Sequence, residues 1–153
     1  LQHRPKSLDW PARSSEELLA RLDLAHLADR HPRDLSVGER ERTAIAAVLV
    51  TAPRLLLLDE PTRGMDGARK RALAGILEEE RSRGVAIILA THDVELVAEY
   101  ATRVVLMAEG EIIADGRPEE TLAGSLTFST QVNKLFGGNL LTVQQASARI
   151  RGL

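Results

Sequence analysis

Asp59 and Glu60 are adjacent carboxylates at the end of the apolar run Leu55-Leu56-Leu57-Leu58. A parallel strand that ends in a carboxylate delivers it to the carboxyl edge of the sheet, where open α/β sheets bind ligands. There Asp59 is placed to hold Mg2+, through water, because that ion dehydrates reluctantly. Glu60 points elsewhere and is placed to polarise an attacking water. The same Asp-Glu-Pro-Thr run also reads as a polar turn after a core strand. Ser36 and Glu39 stand at the spacing of a capping box. A capped helix start can still receive an anion, because its backbone N–H groups and dipole favour phosphate. Gly38 would let a phosphate approach the backbone, and the Ser36 hydroxyl would add a donor. Together the two runs point to ATP hydrolysis.

Two further positions belong beside these. His92 follows the apolar run 85–90, so its imidazole is expected at the same sheet edge as Asp59. A contact to a terminal phosphate and a plain structural role both remain open for it. Asp66, after Gly64 and Met65, is a good helix N-cap. His3, His26 and His31 show no metal-ligand spacing and read as surface or packing residues. The cluster Glu78-Glu79-Glu80-Arg81 reads as a solvated helix face.

The elements that must position these residues follow from hydrophobic periodicity. Residues 14–30 read as one helix or two short ones, with Leu18, Leu19, Leu22, Leu24 and Leu27 inward and His31-Pro32 as the stop. A second helix spans 38–51, with Ile45, Val48 and Leu49 inward. Leu55–Asp59 and Val85–Ala90 read as parallel strands covered on both faces. Between them a helix over 67–83 buries Leu73, Ile76 and Leu77, and Gly84 terminates it. Strand, helix and strand make a crossover unit. A short helix then runs from Asp93 to about Ala101. A hairpin follows, 104–108 with 111–114, turning at Glu109-Gly110. Helical pieces near 118–123, 130–136 and 142–151 close the chain. Residues 1–13 read as a loop.

The 153 residues carry net charge −2 and no cysteine. That balance gives no electrostatic case for nucleic acid or anionic lipid. Absence of cysteine excludes a disulfide scaffold. No apolar stretch is long enough to span a bilayer, and no secretory signal core is visible. A cytoplasmic protein is expected.

The ordered set Leu35-Ser36-Val37-Gly38-Glu39, Leu55 to Thr62, Gly64-Met65-Asp66 and Thr91-His92-Asp93 resembles the second half of an ATP-binding cassette (ABC) ATPase. The likeness spans about 14–125. It implies an α/β, P-loop NTPase-like fold, a mostly parallel sheet flanked by helices. Residues 1–52 would be a helical portion with the signature motif, 53–125 the core portion, and 126–153 a C-terminal helical tail.

The resemblance also implies roles. Ser36, Val37, Gly38 and Glu39 would bind, in trans, the ATP of a partner cassette. Asp59 would hold Mg2+, Glu60 would be the catalytic carboxylate and His92 the switch histidine. Asp66 would contact the partner cassette. Val37 departs from the family's usual Gly, Glu39 from its frequent Gln, and Met65 from its usual Leu. Nothing in the 153 residues reads Gly-x-x-x-x-Gly-Lys-Ser/Thr, so the Walker A half is expected elsewhere and the isolated chain is expected to be inactive. The likeness is strongest to energy-coupling-factor importers of vitamins or of cobalt or nickel ions, and to the second cassette of a fused pair. That implies ATP and Mg2+ as cofactors, and a second cassette and a transmembrane subunit as partners. It places the chain peripherally on the cytoplasmic face of the membrane. The alternative is a non-catalytic remnant or regulatory half-cassette that acts only through a partner. A DNA-repair ATPase would carry a coiled-coil insertion before Leu35, and none is visible.

Overall fold

The computed structural model describes residues 14–123, 125 and 127–152. The loop expected over 1–13 lies outside them. The chain divides into two compact units between Ala90 and Thr91.

In the first unit, Ser14 caps α1 (Ser15–Arg21) by accepting the Glu17 N–H at 3.0 Å. Two short 3₁₀ turns, Ala25–Leu27 and Pro32–Asp34, lead to α2 (Val37–Leu49). Then come β1 (Leu55–Asp59), α3 (Gly67–Ser82) and β2 (Ala86–Ala90). β1 and β2 pair in parallel, from Leu55 opposite Ala86 to Asp59 opposite Ala90. The expected crossover unit is therefore present. Gly84, at φ +91°, takes the left-handed turn after α3 that a side chain would resist.

The core of this unit gathers Leu18, Leu22 and Leu27 against Ile45, Leu49, Leu56, Leu73 and Ile76. All lie at positions whose spacing marks them as inward. Three expectations fail here. The strands are not covered on both faces: Leu57 is 65% and Ile88 61% exposed, while Leu56 is 2%. A strand sends alternate residues to opposite faces, and the helices of this unit cover only the face of Leu56, Leu58 and Ile87. Val48 is exposed, not inward. It lies beside β1 along a cleft, while Ile45 and Leu49 take the core. Glu80 is buried rather than solvated, and Arg83 pairs with it at 3.5 Å. Its neighbour Glu79 takes a two-pronged bond from Arg21 of α1, with both contacts at 2.6 Å.

The second unit holds α4 (Val94–Tyr100), β3 (Val104–Ala108), β4 (Glu111–Gly116), α5 (Pro118–Leu122), α6 (Gln131–Phe136) and α7 (Val143–Arg151). β3 and β4 form the expected antiparallel hairpin. Glu109 and Gly110 both have positive φ, +51° and +84°, the backbone that a two-residue primed turn requires. Arg103 and Asp115 clasp the hairpin at 2.6 Å. Val104, Leu122 and Leu141 form a separate small core.

Candidate functional site

The start of α2 is a complete capping box. The Glu39 N–H donates to Ser36 Oγ at 3.3 Å, and the Ser36 N–H donates to Glu39 Oε2 at 2.7 Å. The Ser36 backbone N–H, and after it the Ser36 hydroxyl, hold the Glu39 carboxyl below the usual carboxylate range. Ser36 Oγ accepts in the box, and its single proton, shared here with the Glu39 carboxyl, can rotate to another acceptor. Ser36 and Val37 are exposed. The helix start that the sequence assigns to phosphate is thus both capped and open to solvent.

Gly38 explains itself through a neighbour. A Cβ there would lie 3.3 Å from the carbonyl oxygen of Gly64. That separation is tighter than ordinary van der Waals contact, so a side chain there would make the turn 62–65 give by a few tenths of an ångström, and glycine lets it sit closely on the start of α2. Gly64 itself is at φ +71°. Within that turn Pro61, Thr62 and Met65 are buried, which fixes it as part of the core rather than as a loose loop.

The same turn begins at Glu60. Asp59 ends β1 opposite Ala90, and the Glu60 N–H continues the ladder by donating to the Ala90 carbonyl at 2.8 Å. Glu60 then takes φ +47°, a left-handed backbone that non-glycine residues adopt at a cost of about 1–3 kcal/mol. Its carbonyl accepts the Arg63 N–H at 3.1 Å, which closes the turn. The chain therefore breaks the strand alternation at Glu60, and Asp59 and Glu60 present two separate carboxylates. Both line a cleft of about 270 Å3 between α2 and the end of β1. So does Glu41, whose Oε2 is buried without a hydrogen-bond partner. Sequence reasoning missed Glu41. The signal was its place with Ala44, Ile45 and Val48 on one α2 face at helical spacing.

Asp66 caps α3, its Oδ1 accepting the Arg69 N–H at 2.9 Å, and its Oδ2 pairs with Arg69 Nη1 at 2.6 Å. That backbone N–H is the main reason its carboxyl lies below the usual range. The first unit thus brings Ser36–Glu39, Asp59, Glu60 and Asp66 into one compact body. His92 is exposed and belongs to the second unit, two residues beyond β2; Asp93 caps α4 by accepting the Leu96 N–H at 3.2 Å. Among the described residues no group of three or more His, Cys, Asp or Glu side chains could hold a metal by itself. Asp59 fits Mg2+ in the other way open to that ion, one carboxylate acting with substrate phosphates and water.

Comparison with known proteins bears on this arrangement. A family model described as ABC transporter matches residues 3–63, beginning upstream of the residues on which the sequence likeness rests. A protein of Streptomyces coelicolor named for its likeness to ABC transporter ATP-binding proteins is 55% identical over 118 residues, 76% of this chain and 21% of that protein. One of Clostridium tetani is 41% identical over 121 residues, 79% of this chain and 28% of that protein. Among solved structures, cbiO1 of Clostridium perfringens, part of the ABC transporter complex cbiONQ, superposes with TM-score 0.56 at 40% identity. That superposition covers 69% of this chain and 43% of cbiO1. The chain spans about a fifth to a quarter of the length of the curated relatives it matches. Over the matched residues, the chain is similar in sequence to ABC transporter ATP-binding proteins and has the P-loop NTPase-like fold of solved ABC transporter ATPases.

Proposed function

We propose that this chain supplies the second half of an ATP-hydrolysing cassette in an ABC importer of the energy-coupling-factor type, serving vitamin, cobalt or nickel uptake. The likeness to cbiO1, part of the ABC transporter complex cbiONQ, supports that type. The observation that carries the chemical reading is the seat of Gly64 on Gly38. It ties the capped start of α2 to the turn that begins at Glu60, so the residues proposed for phosphate recognition and for water activation lie in one compact unit.

In this reading Ser36, Val37, Gly38 and Glu39 face the terminal phosphate of an ATP held by a second cassette. The Ser36 hydroxyl and the α2 backbone N–H groups bind it without any change in protonation. Asp59 is the residue that would hold Mg2+, which neutralises phosphate charge when bound. Glu60 accepts a hydrogen bond from the attacking water and orients it. His92 contacts the terminal phosphate from the cassette that also carries Glu60, and Asp66 contacts the partner cassette. A transmembrane subunit completes the importer, and the cassette lies on the cytoplasmic face of the membrane. Among the described residues no helix is long and apolar enough to cross a membrane.

The test is Glu60→Gln in the assembled two-cassette protein. Turnover is expected to fall by at least about a hundredfold, in the range of a general acid–base contribution, while ATP binding is retained. Turnover at the unaltered rate would remove Glu60 from the mechanism.

A further inference from the structure

Arg69 links the start of α3 to the end of α1. Its Nη1 pairs with Asp66 at 2.6 Å and its Nη2 with Asp23 at 2.8 Å. Its Nε is buried and has no hydrogen-bond partner. Asp23 stands just past α1 with φ +57°, a conformation that aspartate tolerates better than most residues. The residue before it is also fixed, because the buried Arg42 of α2 donates from Nε to the Leu22 carbonyl at 2.9 Å. A cleft of about 270 Å3 runs beside these groups, and Arg21, Asp23, Arg42, Asp66 and Arg69 are the charged residues that line it. Both oxygens of Asp66 are thus engaged by residue 69, one by its backbone and one by its side chain.

That arrangement bears on Asp66 directly. An acceptor held in this way reaches a partner only by exchanging Arg69 for a new donor. The exchange is easier when the guanidinium keeps another carboxylate, a modest preference for pairs as exposed as these. Asp23 is that carboxylate. We propose that Arg69 is a positioning residue that holds Asp66 withdrawn, and that Asp23 sets how readily Asp66 is released to a second cassette. The proposal rests on the assignment of Asp66 as the cassette contact. It adds a relay from the end of α1, through Arg69, to the start of α3. The cleft leaves room for the guanidinium to follow Asp66 or to swing back, and the idle Nε can take a further acceptor.

Two measurements separate this relay from the assignment beneath it. The first is the titration of the Asp66 carboxyl by carbon NMR, in the chain itself. Asp23→Asn is expected to move it further down, because Arg69 then has Asp66 as its main partner. Arg69→Gln is expected to move it up. An Asp66 titration unmoved in the Asp23→Asn protein overturns the relay. The second is ATP-dependent pairing of cassettes in the assembled protein, followed by sedimentation. Asp23→Asn is expected to weaken pairing several-fold, and Arg69→Gln to restore it in the Asp23→Asn background. Shifts in titration with no change in pairing overturn the role of Asp66 in cassette contact and with it this use of the relay. Lysine at 69 keeps the charge but loses the fork, so Arg69→Lys is expected to fold normally and to bridge the two aspartates poorly.

Discussion

Ser36 serves two ends at the start of α2. Its Oγ caps the Glu39 N–H, and its proton can turn from the Glu39 carboxyl to an anion. Ser36→Ala removes both. The cap alone is worth about 1 kcal/mol, to be read as a drop in urea-unfolding stability, and phosphate contact is lost with it. Glu39 adds a pH dependence of definite sign. Its carboxyl is held low in the folded chain, first by the Ser36 backbone N–H. A group with a lowered folded pKa contributes stability above its unfolded pKa and loses it as pH falls through the folded value. The capping box therefore weakens in acid. Glu39→Gln is expected to flatten the acid limb of the stability–pH curve, and an unchanged slope would deny the box that role. Much of this scale was legible: the Ser36–Glu39 box, the Asp66 cap and the paired carboxylates all follow from short spacings. The left-handed backbone of Glu60 and the orphaned oxygen of Glu41 were not, since both arise from contacts between elements distant in sequence.

At the scale of elements, α3 ties the first unit together. Leu73 and Ile76 are fully buried between the helices and the sheet, and Arg21–Glu79 and Asp23–Arg69 fasten α1 to the outer side of α3. These exposed ion pairs are worth little each, so the apolar contact dominates. Leu73→Ala is expected to cost about 2–5 kcal/mol by chemical denaturation. A loss below about 1 kcal/mol would mean that the α1–α3 contact contributes less than its burial implies. The order and limits of the elements were readable because period, caps and glycine stops agreed. Val48 and Glu80 were misread for a shared reason. Periodicity reports which face of a helix is apolar, yet the neighbour that covers a given turn of that face comes from elsewhere in the chain.

At the scale of the molecule, the apolar strands misled in one respect. A continuous apolar run encodes two buried faces, and this unit buries one. Leu55, Leu57 and Ile88 remain on an exposed face that leads to Asp59. Such a patch favours association, and the isolated chain is expected to self-associate. Leu57→Lys is expected to raise the monomer fraction in sedimentation without loss of fold, and an unchanged distribution would clear that face. The central claim is that Ser36 acts on a partner's ATP while Glu60 acts on the ATP of its own cassette. Mixed two-cassette assemblies test it most directly. Pairing a Glu60→Gln cassette with a Ser36→Arg cassette leaves one composite site whole, and about half of the normal turnover is expected. Placing both changes in the same cassette damages both sites, and turnover near zero is expected. Equal activity of the two arrangements would contradict the shared site.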